Sequence, residues 1–284
     1  MGLDVYLNYC ENWEEYQMKQ ELYSDKTTRI WEEIQKGRTW ETLTQDEKDS
    51  ANSQCKEYAA SLGLGEWGGD NSCSAIEINS KKYPKHYFKV GYFRSSYNDG
   101  GINRVLSNNL GENSDLYYIF NVTDNYEYYF TPDWKLAFDR VREVRRRLKE
   151  RIKETGGAYC FSVWHYKDHE NVVSSGAEAI QRYIQNKPKE KSKNKPKEKS
   201  KNKDFYSYSN IDGYFSMDKP IEVYAIIQGK SEYKFTGEQQ ETYVVAKDKT
   251  KLKFYVQALD IIEETINYVL AQPNSQNYRL SWSA

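Results

Sequence analysis

No apolar run in the chain approaches the roughly 20 residues that a membrane-spanning helix needs, which argues against a helical membrane protein. The opening Met1-Gly2-Leu3-Asp4-Val5-Tyr6 lacks the basic segment and apolar stretch of a secretory signal. Position 6 is Tyr, where an N-myristoylation signal carries Ser or Thr. The expectation is a cytoplasmic protein with no membrane attachment. Cysteine is scarce: Cys10, Cys55, Cys73 and Cys160 lie far apart, with no CxxC pair. In a cytoplasmic chain of this length they are expected as reduced, half-buried thiols, with a zinc site assembled from them as the alternative. Equally absent are GxSxG, HExxH, Walker, EF-hand and kinase signatures. Catalytic residues therefore stay unassigned, no metal site or cofactor is expected, and the balance leans away from an enzyme.

Apolar residues make up 38% of the 284, a low share, whereas aromatic residues reach 15%, with 26 Tyr and 7 Trp. Those rings must supply much of the buried area, each Tyr hydroxyl lying at a boundary or in a hydrogen bond. The net charge of -1 hides a split. Residues 187–203 hold nine Lys and two Glu, hence +7, which leaves -8 for the remainder. An acidic body disfavours an extended nucleic-acid groove, whose affinity rests on neutralising phosphates. The basic segment repeats the octapeptide KPKEKSKN without change at 187–194 and 195–202. It has no apolar residue and dense like charge, so it reads as a disordered Lys-rich loop inserted into a folded domain. It serves either as a solvated expansion or as a basic tether for nucleic acid or acidic partners.

Around that loop, residues 1–186 and 204–284 read as one α+β domain. Leu3, Val5, Leu7 and Tyr9 alternate in a first strand expected inside a sheet. A polar helix is predicted from Trp13 to Gln35. Thr44 with Glu47 forms a capping box for a second helix carrying Ala51, Cys55, Tyr58 and Leu62 and ending at Gly63. Strands follow at Ala75–Asn79 and Tyr87–Arg94, then a short helix from Gly101 to Asn109. Two aromatic strands are predicted at Leu116–Val122 and Tyr126–Phe130. Thr131-Pro132-Asp133 supplies an N-cap, a first-turn proline and a first-turn acid for the clearest helix, which stops at Gly156-Gly157. A strand at Tyr159–Tyr166, a helix at Ala177–Gln185, strands at Ile221–Ile227 and Tyr243–Ala246, a helix from Leu252 to Ala271 and a last extended piece at Tyr278–Trp282 complete the reading. Strands without a βαβ rhythm predict a mixed, largely antiparallel central sheet with several flanking helices.

The most chemically suggestive stretch runs from Gly91 to Gly101. Arg94, Ser95, Ser96, Asn98, Gly100 and Gly101 leave a strand, turn, and enter a helix, where unpaired N–H groups could hold a phosphate or carboxylate. The same residues also suit an ordinary turn and cap. His165 and His169 flank Asp168, but on a strand and its exit they lie roughly 13 Å apart when fully extended, which suits a metal poorly. His86 has no evident partner. Residues 139–153 carry eight Arg or Lys against three acids, including Arg145-Arg146-Arg147: a solvated face paired to the acidic body, or a docking surface for an acidic protein or RNA.

Three pieces in order carry a resemblance. Met1-Gly2-Leu3-Asp4-Val5-Tyr6-Leu7 resembles the MGLDMYL start of a group of small bacteriophage and prophage proteins; Lys89-Val90-Gly91-Tyr92-Phe93-Arg94 resembles their EVGYWRKAN segment; Tyr278-Arg279-Leu280-Ser281-Trp282 is similar to their YxxSW ending. After Arg94 the chain departs, reading SSYNDGG, and it continues past Trp282 with Ser283-Ala284. The resemblance implies an accessory protein of a phage, prophage or related element, and carries no catalytic residue across. It also implies that the first strand, the Arg94 strand and the last strand meet in one sheet. Together with the abundant Tyr and Trp, it leads to the expectation of a non-catalytic binding protein for a host or element-encoded protein, with interference in host defence as one role for it. The alternative is an enzyme or sensor for a small phosphorylated ligand at the Arg94–Gly101 turn; nucleic acid ranks behind both.

Overall fold

The structure is a computed structural model that describes residues 4–65, 73–94, 101–122, 129–165, 172–173, 180–181, 184–185, 222–233, 237–247 and 251–283. The insertion at 187–203, the loop at 66–72, the predicted strand residues 126–128, most of the predicted helix 177–185, and Ser95 to Gly100 lie outside those residues. The protein is α+β, and the described residues group into two compact units.

The smaller unit comprises Leu7–Ile76 and Asn274–Arg279. Within it the later residues of strand β1 (Asp4–Cys10) pair antiparallel with β2 (Cys73–Ile76). Helix α1 (Trp13–Gln35) starts at Asn12, whose side chain accepts from the Glu15 N–H, and ends on Lys36 in the left-handed region. A short 3-10 turn, Trp40–Thr42, leads to α2 (Gln45–Ser61). The Thr44–Glu47 capping box forms as expected, and Gly63, at φ 73°, closes the helix. Ile30, Ala51 and Cys55 make the core between α1 and α2, with Trp31 and Ile34 packed against it.

Cys10 and Cys73 form a disulfide across a register pair of β1 and β2, with Cα atoms 4.3 Å apart. Sequence spacing concealed this pairing, because 63 residues separate two thiols that the antiparallel register places opposite one another. Cys55 and Cys160 are the buried free thiols, so the expectation of four reduced cysteines holds for two.

The larger unit comprises Met1–Tyr6, Glu77–Pro273 and Leu280–Ala284. Here the first residues of β1 pair antiparallel with β3 (Tyr92–Arg94), in the register Asp4↔Arg94, Val5↔Phe93 and Tyr6↔Tyr92. The last residues of β9 (Tyr278–Ser283) pair with β4 (Tyr129–Phe130), and β9 lies next to β1 in the sheet. The three resembling pieces therefore meet as inferred. Before β3 the expected strand from Tyr87 is interrupted: Lys89 and Tyr92 exchange backbone bonds across a tight turn, with Gly91 at φ 86°.

A second sheet runs in the order β5-β8-β7-β6, from β5 (Ala158–His165), β8 (Gly237–Lys247), β7 (Glu222–Tyr233) and β6 (Val172–Val173). Its pairings are antiparallel except β6 with β7. Helix α3 (Ile102–Leu110) packs on β5 and on α5 (Trp134–Thr155), which in turn packs on α4 (Leu116–Phe120) and α6 (Lys251–Leu270).

Leu116–Phe120 corrects a predicted strand. Asp115 caps its start by accepting from the Tyr118 N–H at 2.9 Å, Asn103 accepts from the Leu116 N–H, and Asn121 takes the left-handed conformation that ends it. A run of five apolar and aromatic residues does not distinguish strand from helix by pattern, and here the caps decide. Leu116, Ile119 and Phe120 then bury, with Phe120 meeting Trp134 edge-on. The cap of α5 also moves, from Thr131 to Asp133, which accepts from the Lys135 and Leu136 N–H groups at 3.0 Å each.

Candidate functional site

Of the six residues proposed to hold an anion, the structure describes two. Arg94 ends β3, and its Nε lies 3.9 Å from Asp4 Oδ1, its strand partner. Its Nη1 donates to Tyr87 Oη at 3.3 Å. Gly101 is the extended residue before α3, is buried, and accepts from the Val105 N–H at 2.9 Å; among the described residues no side chain caps this helix. Ser95, Ser96, Asn98 and Gly100 lie outside the described residues.

Sequence reading missed what surrounds Arg94. Tyr92 donates from Oη to Asp4 Oδ2 at 3.3 Å, and its ring meets that of Tyr6 at 5.1 Å. Burial raises the Asp4 carboxyl pKa, against the hydrogen bond from Tyr92 and the charge of Arg94. Burial, Tyr87 and Asp4 together raise that of Tyr92, so its hydroxyl stays protonated and acts as a donor. The signal was available in the alternation: if Val5 and Leu7 face the core, Asp4 and Tyr6 share the opposite face. An anion arriving here must compete with Asp4 for the guanidinium. The arrangement ties β1 to β3.

His86, read as partnerless, is firmly held. Its Nδ1 accepts from the Phe88 N–H at 3.1 Å, which leaves the proton on Nε2 to donate to the Phe254 carbonyl at 3.2 Å. The ring stacks on Phe254 at 4.3 Å, and burial lowers its pKa. Close by, Ser80 Oγ and the Lys81 N–H donate to Glu264, while Lys82 and Tyr83 donate to Asp260. This cluster locks the segment 80–88 to α6.

The arginines of α5 are spent inside the larger unit. Arg145 bonds Asp260 at 2.6 Å and also Glu263; Arg147 donates to the carbonyls of Leu110, Glu112 and Asn113; Arg140 donates to the Tyr118 carbonyl and Asn121. Among the described residues Arg146 reaches Glu150, one turn on. Sequence shows eight cations on one helix and does not show which carbonyls and carboxylates the fold brings to them. His165 ends β5, and His169 lies outside the described residues. Among the described residues no cluster of three His, Cys, Asp or Glu could hold a metal ion.

Large apolar residues are exposed in both units: Ile78, Tyr87 and Leu270 in the larger, and three in the smaller. Met18, Leu22 and Trp40 are large apolar residues left 54%, 44% and 45% exposed. Trp40 packs on Trp31 with ring centres 4.7 Å apart, and the Lys48 ammonium sits 5.0 Å over its ring. No helix among the described residues is long and apolar enough to cross a membrane. Comparison with protein-family models, curated proteins and solved structures finds no match.

Proposed function

We propose that the chain is an accessory protein of phage or mobile-element type that acts without catalysis, by binding a host or element-encoded protein. The observation that carries this reading is the exposure of Met18, Leu22 and Trp40 in one unit, a combination that marks contact surfaces more than it serves the fold. The internal use of Arg140, Arg145 and Arg147 supports it by lowering the claim of nucleic acid on α5. The test is affinity purification of the wild-type chain beside a Met18→Glu/Trp40→Ala variant from cells that express it. A partner retained by the wild type and lost by the variant is expected; recovery of no stoichiometric partner sinks the reading.

A second reading, a small phosphorylated ligand at the Arg94 turn, rests on the guanidinium at the end of β3 and on Gly101, an N-cap of α3 that supplies no side chain to the helix N–H groups. Nucleotides should then raise the melting temperature of the wild type and leave Arg94→Ala unmoved. A flat response in both removes it.

The proposed setting is the cytoplasm. Acid quenching of cells, then alkylation in denaturant and mass measurement, counts the thiols: four modified cysteines fit a reducing compartment, and two place the chain in an oxidising one with Cys10–Cys73 intact.

A further inference from the structure

Helix α1 is built inside out at its middle. Its ends are anchored by the buried Trp13 and Tyr16 at one side and Ile30 at the other, yet none of residues 17–29 is buried. Over that span the half-buried positions are Gln17, Lys19, Gln20, Tyr23 and Thr27, of which Gln20, Tyr23 and Thr27 continue the helical spacing from Tyr16 to Ile30, while Met18 and Leu22 stand exposed one turn apart. A helix serving only its own fold places apolar residues inward and polar ones outward. Breaking that rule at two adjacent positions, with polar residues taking the inner side, points to a contact outside the chain.

The surroundings state what kind of contact. Positions three and four residues away from Met18 and Leu22 hold Glu14, Glu15, Glu21 and Asp25 against Lys19 and Lys26, and Lys19 is already paired with Glu15 at 2.8 Å. The smaller unit as a whole carries fourteen acidic and eight basic residues, net -6. A second copy of this face would set carboxylates against carboxylates, and an anionic lipid surface would meet the same repulsion. We infer that the outer face of α1 docks a basic protein segment whose apolar side chains cover Met18 and Leu22 while its Lys or Arg residues meet Glu14, Glu21 and Asp25. This rests on the binding reading above and names its surface and its partner chemistry. Methionine suits such a site, because its unbranched thioether adapts to differently shaped partners.

The chain holds three methionines, Met1, Met18 and Met217, so labelling their ε-methyl carbons gives three NMR signals, and Met18→Leu assigns the one of interest. The probe is a synthetic peptide of leucine and lysine with apolar residues at helical spacing; its counterpart replaces lysine by glutamate. Titrated into the full chain, the lysine peptide should shift the Met18 methyl saturably, with affinity falling as salt rises. Leu22→Glu should weaken it at least about tenfold, Leu22→Gln somewhat less, with the melting temperature of both variants unchanged because Leu22 is exposed. Absence of a shift, an equal shift with the glutamate peptide, or a shift on concentrating the protein alone overturns the proposal. Partner capture separates the two claims. A natural partner still bound by Leu22→Glu leaves the binding function standing and this face refuted, whereas a wild type that captures nothing refutes the function itself.

Discussion

Replacing Arg145 with alanine asks whether the basic helix is a structural brace or a docking surface. In the structure Arg145 is about one-fifth exposed and donates to Asp260 at 2.6 Å and to Glu263, both of them more than four-fifths covered. Each charge-assisted bond contributes about 1.5–3 kcal/mol when intact. The loss is smaller than their sum, because Asp260 keeps Lys82 at 2.9 Å and Tyr83 at 2.7 Å, and Glu263 keeps Arg142 at 3.8 Å. We expect Arg145→Ala to cost about 2–3 kcal/mol and to lower the melting temperature by about 4–10 °C. Its neighbour Arg146, with a side chain 61% exposed and an i,i+4 pair to Glu150, should change stability by less than about 0.5 kcal/mol when replaced. Urea unfolding of the two variants side by side is the assay. Burial pushes the Asp260 carboxyl up, but the bonds from Tyr83, Lys82 and Arg145 outweigh it and hold the group below its ordinary range. A depressed carboxylate adds stability above its unfolded value near pH 4, lost as pH falls through the folded value. The gap between wild type and Arg145→Ala should therefore narrow in acid. Equal costs for the two substitutions, or a gap that widens in acid, would refute this account of the helix.

His86, neutral and with a lowered pKa, contributes stability that is complete above about pH 6.5 and lost as pH falls through its folded value; melting curves between pH 7.5 and 5 should show a decline that His86→Gln lacks. Asn109 is fully buried, donates to the Cys160 carbonyl and accepts from the Cys160 N–H, both at 2.9 Å, on the β5 edge away from β8. Asn109→Leu strands both groups and should cost about 3 kcal/mol in urea unfolding; a change below 1 kcal/mol would show that the edge finds other partners. The Cys10–Cys73 bond closes a loop of 63 residues, so reduction should destabilise the smaller unit by up to about 4 kcal/mol, read as a melting shift on adding a thiol that Cys10→Ser/Cys73→Ser does not share.

Local chemistry made most helices legible. The Thr44–Glu47 box, Gly63 and the Gly156 stop lie within four residues of the backbone groups they satisfy, so the chain announces them. What stayed hidden depends on partners far away in sequence. The Cys10–Cys73 register, the Phe254 carbonyl that receives His86 and the carboxylates that receive Arg145 become visible only when the strands and helices are placed. The candidate surface on α1 was hidden for another reason. A polar helix with two stray apolar residues looks ordinary until burial shows which side faces in. The segment from Ser95 to Gly100 stays where sequence left it, outside the described residues.

The position of β9 beside β1 has a consequence for how the protein is made. Strand β1 leaves the ribosome well before β9, the neighbour on one of its sides, which is encoded about 270 residues later. At 5–20 residues per second, that leaves β1 waiting roughly 15 to 55 s for the strand beside it. Throughout that interval one side of a strand whose inner residues are apolar stays open to pairing with other chains. Slowed translation late in the message should therefore increase aggregation of nascent chains more than slowing of the same length early on. Supplying residues 278–283 as a free peptide should rescue chains arrested before them.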